Sequence, residues 1–146
     1  KMDIRLAREQ DLPQLLELYL FLHETQAPAV DDKVQKVWQE MLLDPKLYVL
    51  VGEEEGRLLS SCTLTVVPNL TRGQRPYGLV ENVVTHGDAR GRGLATRILG
   101  RARELAVEQD CYKLMLMTGS KLESTLRFYE RAGYNRVDKT AFVQWL

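Results

Sequence analysis

The chain has 146 residues, of which 45% are hydrophobic and 27% are charged. This length and composition are typical of one globular domain with a packed core, so we expect a single domain over residues 1–146. They exclude a disordered chain, a collagen and a disulfide-rich miniprotein, and no apolar run approaches the roughly 20 residues of a membrane span. The net charge is zero, which argues against nucleic-acid and membrane partners.

The distribution of charge and the cysteine content add two expectations. Residues 1–73 carry 8 basic and 12 acidic side chains (8 − 12 = −4), and residues 74–146 carry 12 and 8 (12 − 8 = +4). Five arginines fall between residues 90 and 103 with no acid among them, which fits either an anionic ligand or a solvated basic helix face. Cys62 and Cys111 fit a reducing compartment, and we expect a cytoplasmic protein.

Apolar periodicity divides the chain into strands and helices without repeats or linkers. Leucines at helical spacing follow Asp11, the expected N-cap, and Pro13 lies in the first turn of that helix. Ser120 and Glu123 fit a capping box at the last helix. The predicted strands are Ile4–Ala7, Tyr48–Gly52, Arg57–Val67, Gly78–Thr85, Tyr112–Thr118, Tyr134–Val137 and Ala141–Leu146. The predicted helices are one after Asp11, Asp31–Leu43, one from Gly93 to about Gln109 and one from Ser120 to near Gly133. This order indicates an α+β sheet with helices on its faces.

A glycine–arginine turn between a predicted strand and a predicted helix is the most informative motif. In Arg90-Gly91-Arg92-Gly93-Leu94-Ala95 the glycines let the backbone approach a ligand, and the helix N-terminus favours an anion. A dinucleotide-binding fingerprint requires a glycine where Thr96 stands and an acidic residue at the end of the next strand, which is absent. The sequence also lacks a Walker loop, and its histidines and cysteines lack the spacing of a metal site.

Three segments together resemble the GNAT superfamily of N-acetyltransferases. Arg90-x-x-Gly93-x-Ala95 is similar to its Arg/Gln-x-x-Gly-x-Gly/Ala pyrophosphate loop, Glu81–Thr85 resembles its fourth strand, and Arg127–Tyr134 resembles its C-terminal helix. Their order and spacing agree over essentially the whole chain. The resemblance implies a mixed, mainly antiparallel sheet of about seven strands flanked by about four helices. It also implies acetyl transfer from acetyl-coenzyme A to an amine by direct attack in a ternary complex.

The resemblance further implies which residues bind acetyl-coenzyme A. Strand residues would pair with the pantetheine amides, and backbone N–H groups of the turn and the first helical residues would bind the pyrophosphate. The strand residues are Val83, Val84 and Thr85, and the others are Arg90, Gly91, Arg92, Gly93, Leu94, Ala95 and Thr96. Many members have an asparagine at the position of Leu122 that contacts the pantetheine, so this chain lacks the side chain for that contact.

Two residues are candidates for the chemistry. Glu81 is a carboxylate within an otherwise apolar strand, and we expect it to face a wet cleft and act as general base, because unpaired burial is costly. The alternative is a salt bridge to Arg75 or another cation. Tyr129 faces the thioester sulfur in the family pattern and is the candidate general acid, because a phenol pKa near ~10 is close to that of an alkyl thiol. The alternative for Tyr129 is a core aromatic.

The acceptor amine is left open by the sequence. By family analogy, the link over residues 23–32 and the loop over residues 68–77 line its pocket. The acids of the link suit a cationic amine, whereas the arginines of the loop suit a phosphate or carboxylate. The residues concerned are His23, Glu24, Asp31, Asp32, Arg72 and Arg75. We expect a small-molecule or peptide amine as partner, and a homodimer. The alternative from another class is a catalytically silent acyl-coenzyme A-binding sensor or assembly module.

Overall fold

A computed structural model describes residues 1–22 and 24–146 as an α+β fold with one five-stranded sheet. The strands are β1 (Asp3–Leu6), β2 (Leu47–Glu54), β3 (Arg57–Val67), β4 (Tyr77–Thr85) and β5 (Leu114–Leu116). The helices are α1 (Leu12–Leu18), α2 (Asp32–Leu43), the single turn α3 (Thr71–Gln74), α4 (Leu94–Glu108) and α5 (Glu123–Arg131). Short 3-10 turns cover Glu9–Asp11, Tyr19–Phe21 and Gly87–Ala89.

The sheet is mixed and mainly antiparallel, as the family resemblance implies. The strands follow the order β1-β2-β3-β4-β5, in which β1 to β4 pair antiparallel and β4 pairs parallel with β5. A parallel pair requires a long crossover connection, and α4 supplies it. Within the described ranges, no helix is both long enough and apolar enough to cross a membrane.

Helices cover both faces of the sheet and create two hydrophobic cores. The apolar residues of α4 recur every three or four positions, so that they form one stripe that packs on the sheet. The first core contains, among others, Ile98, Leu99 and Ala102 of α4 against Cys62, Leu64 and Val80. The second contains Leu15 and Leu18 of α1 and Trp38 of α2 against Val49, Val51 and Val84.

The sheet has five strands, so the expectation of about seven is wrong. The predicted strands Tyr134–Val137 and Ala141–Leu146 are not formed in the described chain. The side chain of Asn135 accepts hydrogen bonds from the N–H groups of Val137 (2.8 Å) and Asp138 (3.2 Å), which turns the backbone where a strand was expected. The predicted strand Tyr112–Thr118 shortens to Leu114–Leu116.

Asp11 stands at the N-cap position of α1 with Pro13 in the first turn, as predicted, whereas the predicted capping box at the start of α5 is wrong. The carboxylate of Asp11 does not cap α1; it is bound by the Arg5 guanidinium (2.7 and 2.9 Å), which holds its pKa below the usual range. α5 begins at Glu123, and its N-cap Leu122 has no capping side chain. Ser120 instead accepts a hydrogen bond from the Leu122 N–H (3.2 Å) before the helix begins. Asp11 and Ser120 are residue types that commonly cap helices. The ion pair with Arg5 and the geometry of the loop before α5 give their side chains other partners.

Candidate active site

A gap opens in the sheet between β4 and β5. The two strands pair only where Gly78–Val80 lies beside Leu114–Leu116, and β5 ends there. β4 continues to Thr85, and among the described residues no strand lies beside that continuation. Peptide groups at an open strand edge can pair with an extended ligand that carries amides of its own. The predicted pantetheine-binding residues 83–85 lie in this part of β4.

A bulge in β4 lies at the mouth of the gap. The register with β3 shifts between Ser61 and Thr63, and Asn82 has a left-handed φ of 53°. Asparagine tolerates this conformation better than most residues, and a bulge redirects the side chains around it. Glu81 lies opposite Thr63, whereas Val84 lies opposite Ser61. The bulge therefore separates the regular half of β4 from the half beside the gap.

Glu81 is exposed, as the sequence predicts for a carboxylate in a wet cleft. Within residues 1–22 and 24–146 no ion pair or hydrogen bond to its carboxylate is formed. The alternative partner Arg75 lies elsewhere, because its guanidinium pairs with the carboxylate of Asp110 (3.3 Å) and donates to the carbonyl of Cys111 (3.1 Å). The structure therefore removes the Arg75 salt bridge and leaves the Glu81 carboxylate open to a ligand.

The turn before α4 has the backbone of an anion site. Gly91 and Gly93 have left-handed φ values of 78° and 73°, and Gly93 is the N-cap of α4 with no capping side chain. A Cβ added at either glycine would meet no atom within 4 Å, so the space above the turn is open. The first N–H groups of α4 have no capping side chain, and they carry the partial positive charge of a helix N-terminus. These features fit the pyrophosphate group that the sequence predicts here.

The arginine side chains near this turn have mostly structural partners. Arg92 binds the carboxylate of Glu54 (2.8 Å), which joins the turn to the β2–β3 hairpin. Arg97 donates to the carbonyl of Met2 (2.8 Å) and so ties α4 to the N-terminal segment. The contribution of Arg92 to an anion site would therefore come from its backbone N–H. Of the five arginines between residues 90 and 103, Arg97 therefore has a structural role as well as an exposed position.

The 3-10 turn Tyr19–Phe21 packs along the end of β4 and the following residues. The Phe21 ring lies 4.5 Å from the His86 ring and 5.8 Å from the Arg90 guanidinium. A Cβ on Gly87 would come within 2.8 Å of the Phe21 ring, so any larger residue there would displace the ring from this close packing. The turn after α1 thus fixes the segment that leads from β4 into the anion site.

A cleft of about 1000 Å³ lies on the α4 side of the gap, between β5, α5 and the segment that follows α5. Tyr129 lies half-buried in this cleft, and the Tyr134 ring stands perpendicular to it at 6.4 Å. Burial raises the pKa of Tyr129 above the usual 10 and raises the pKa of Tyr134 to about 12. Both phenols are therefore protonated at neutral pH, as a proton donor must be.

Glu81 and Tyr129 approach the gap from opposite faces of the sheet. Tyr129 packs against the core under α4. Glu81 lies opposite Thr63 in an antiparallel pair, and such residues point to the same face. Cys62 and Leu64, the neighbours of Thr63 in β3, point into the α4 core. Because side chains alternate along a strand, Thr63 and Glu81 point to the opposite face of the sheet, which α1 and α2 cover. A group held in the gap would have a carboxylate on one side and a phenol on the other.

The predicted acceptor segments are largely used for structure. His23 lies outside the described residues. The Asp31 carboxylate accepts from the Val34 N–H (2.9 Å) and caps α2. Arg72 stacks over the Tyr112 ring at 5.3 Å, beyond the end of β4 that is farther from the anion site.

Sequence analysis missed the residues whose hydroxyls are buried and unpaired. Within the described residues these are Tyr19, Thr63 and Tyr134. Tyr134 is the last residue of the Arg127–Tyr134 segment that resembles the C-terminal helix of the family. That position is the one signal in the sequence that could have identified it.

Comparison with known proteins shows which family the chain resembles in sequence and in fold. The model of the Acetyltransferase (GNAT) family matches residues 12–134. A glucosamine 6-phosphate N-acetyltransferase of Trypanosoma brucei brucei is 30% identical over 135 residues, which are 91% of this chain and 88% of that protein. A solved structure from Agrobacterium tumefaciens strain C58 has a TM-score of 0.93 at 39% identity and covers 99% of both chains. A crystal structure of a Trypanosoma brucei acetyltransferase has a TM-score of 0.85 at 28% identity, covering 99% of this chain and 100% of that one.

Proposed function

The chain belongs to the GNAT acetyltransferase family, and on that premise we propose that it transfers acetyl from acetyl-coenzyme A to a primary amine by direct attack in a ternary complex. The observation that carries the proposal is the gap between β4 and β5, which leads to the open turn at Gly91 and Gly93. An extended ligand with amides and an anionic end fits this path. When bound, acetyl-coenzyme A supplies an activated acyl group as a thioester.

The residues of the chain divide between holding the cofactor and moving protons. Backbone N–H groups from Arg90 to Thr96 would bind the pyrophosphate, and Val83 to Thr85 would hold the pantetheine in the gap. Glu81 would accept the proton that the amine loses as its nitrogen bonds to the acetyl carbon. Tyr129 would donate a proton to the sulfur as the carbon–sulfur bond breaks. The exposure of Glu81 and the position of Tyr129 in the cleft beside the gap support these roles.

A small polar amine is the proposed acceptor, with glucosamine 6-phosphate as the first compound to assay. The support is the Trypanosoma brucei brucei relative, whose name gives that substrate and which matches most of this chain. Release of free coenzyme A on addition of the sugar phosphate would support the assignment. Cofactor binding without turnover across a library of amines would favour the silent binding module instead.

Gly93→Asp is expected to abolish stabilisation by acetyl-coenzyme A. In the wild type a ligand that binds only the folded state raises the melting temperature, by an amount that grows with its concentration. The aspartate places a side chain and a negative charge where the pyrophosphate would lie. The matched control is Gly73→Asp, because Gly73 also has a left-handed φ (70°) and open space around it. A normal cofactor shift in Gly93→Asp would contradict the anion-site assignment.

We propose further that the protein acts as a homodimer in the cytoplasm. The free thiols of Cys62 and Cys111 support the location. The apolar end of the chain supports the dimer, because Phe142 and Trp145 are 90% and 88% exposed and such side chains are normally covered by a partner. Light scattering is expected to give twice the 16.8 kDa of one chain, and a Phe142→Ser/Trp145→Ser variant the single mass. Lys139→Ser is the control, and a monomeric wild type would exclude the dimer.

A further inference from the structure

The part of β4 that borders the gap, residues 83–85, is held to the sheet along one edge only. Among the described residues no strand lies on its other side. The bulge also separates it from the regular half of β4, and beyond the bulge β4 pairs with β3 at two positions, Val84 with Ser61 and Thr85 with Ser60. A segment with so few backbone bonds opens more easily than a strand in the middle of a sheet. Additional contacts to β3 therefore matter more here than elsewhere in β4.

The peptide groups of residues 83–85 face alternately toward β3 and toward the gap. The N–H of His86 donates to the carbonyl of Leu59 in β3 at 2.8 Å. Because the peptide groups of successive strand residues point to opposite edges, those of Val84 also face β3. Those of Val83 and Thr85 therefore face the gap, where the amides of the pantetheine would pair with them.

A fully buried serine of β3 bonds to two residues of this segment. Ser60 is 0% exposed, and its hydroxyl donates to the carbonyl of Val84 at 2.9 Å. The same oxygen lies 3.1 Å from the hydroxyl oxygen of Thr85. A serine has one hydroxyl proton, and a carbonyl can only accept, so Thr85 is the donor in the second bond. Ser60 thus holds the backbone of one residue and the side chain of the next.

The neighbouring serine makes the same kind of bond to the opposite side of β3. Ser61 is also 0% exposed, and its hydroxyl donates to the carbonyl of Leu50 in β2 at 2.7 Å. Two adjacent serines of equal burial therefore tie β3 to different strands. Ser61 fastens β3 to the side of the sheet away from the gap, whereas Ser60 fastens the segment that borders the gap.

We infer that Ser60 is a positioning residue for cofactor binding, whose hydroxyl keeps the gap-facing peptide groups of Val83 and Thr85 directed at the pantetheine. The inference rests on the proposed function and adds to it a residue that the ligand does not touch. Holding these groups in place before the ligand arrives lowers the ordering cost of binding. Both bonds of Ser60 end on β4, so its effect falls on the pantetheine and not on the pyrophosphate at the turn before α4.

The test measures the binding of two ligands without an acceptor. Acetyl-coenzyme A contains the pantetheine, and phosphoadenosine diphosphate is the nucleotide end of coenzyme A without it. Titration calorimetry gives the dissociation constant of each ligand for the wild type, for Ser60→Ala and for the matched control Ser61→Ala. Ser60→Ala is expected to bind acetyl-coenzyme A between about twofold and tenfold more weakly, the range for loss of a typical hydrogen bond. Its binding of phosphoadenosine diphosphate should equal that of the wild type.

The control separates positioning from a general loss of stability. Ser61→Ala removes a bond of the same kind at the same burial, so both variants should melt at similarly lowered temperatures. Ser61→Ala should nevertheless bind both ligands as the wild type does. A purely structural role of Ser60 predicts that the two ligands are affected alike. Equal affinity of the two variants for acetyl-coenzyme A, or weaker binding of both ligands by Ser60→Ala, would overturn the inference.

Thr85→Val provides the test a second time and covers the case in which Ser60→Ala does not fold. Valine has the shape of threonine and removes only the bond from Thr85 to Ser60. Acetyl-coenzyme A should bind about twofold to fivefold more weakly, again with no change for phosphoadenosine diphosphate. Unchanged affinity for acetyl-coenzyme A in this variant would contradict the role of the hydroxyl pair.

The failure of the inference differs from the failure of the proposed function. A wild type that does not bind acetyl-coenzyme A removes the proposed function itself. A wild type that binds acetyl-coenzyme A, together with a folded Ser60→Ala variant that binds it equally well, removes only the positioning role of Ser60.

Discussion

Glu81→Gln is expected to lower kcat about 100-fold at neutral pH, which is a usual contribution of a general base. Glutamine keeps the size and polarity of the side chain but cannot accept the proton of the attacking amine. Because the Glu81 carboxylate is exposed and has no partner in the described chain, the fold and the acetyl-coenzyme A shift should be preserved. The measurement is kcat with glucosamine 6-phosphate, together with the melting temperature with and without acetyl-coenzyme A.

The pH dependence of this variant separates a base from a residue that only orients the substrate. At high pH the free amine is already deprotonated, so the rate of Glu81→Gln should recover toward the wild type. An orienting role predicts the same deficit at every pH. Glu17→Gln is the matched control, since Glu17 is also exposed and lies on α1. Unchanged turnover in Glu81→Gln would remove Glu81 from the proton-transfer step.

The elements that sequence predicts well are those whose own periodicity decides their structure. α4 has a long apolar stripe and α2 has both a stripe and a proline stop, and both helices form within a residue or two of their predicted bounds. The segment Ala141–Leu146 has apolar residues in a strand-like sequence, yet a strand also requires a neighbour. Alternation indicates which side chains avoid water, and it carries no information on whether another strand is available to pair.

The same distinction applies to the site. Backbone features that a short motif fixes, such as the left-handed glycines before α4, follow directly from the sequence. The partners of long side chains do not, because Arg92 binds Glu54, 38 residues away, and Arg75 binds Asp110. The rings of Phe21 and His86 meet across 65 positions (86 − 21 = 65), and no local pattern marks them as neighbours. Residues defined by tertiary contact become visible only once the fold is known.

Tyr129→Phe is expected to lower kcat between about 10-fold and 1000-fold while changing stability by about 1 kcal/mol. The phenylalanine ring retains the packing against Phe128 (5.1 Å) and Tyr134 (6.4 Å). The substitution removes the proton that the phenol could give to the sulfur. The effect should fall on kcat rather than on the KM for either substrate, because the charge on the sulfur develops only as the bond breaks. The control is Tyr112→Phe. The Tyr112 ring lies just before β5, where the cationic groups of Arg72 and Lys113 lie over it.

The direction of the Tyr129 pKa shift gives this prediction a second measurement. A phenol with its pKa raised above 10 stays protonated through the neutral and mildly alkaline range, so the wild-type rate should not fall until the pH passes that raised value. Tyr129→Phe should have no such alkaline limb, because it has no phenol to lose. A core aromatic predicts the reverse: a normal kcat, an unchanged alkaline profile and a loss confined to melting temperature. If product release limits the wild-type rate, single-turnover measurement exposes the chemical step, and an unchanged single-turnover rate would exclude Tyr129 as the acid.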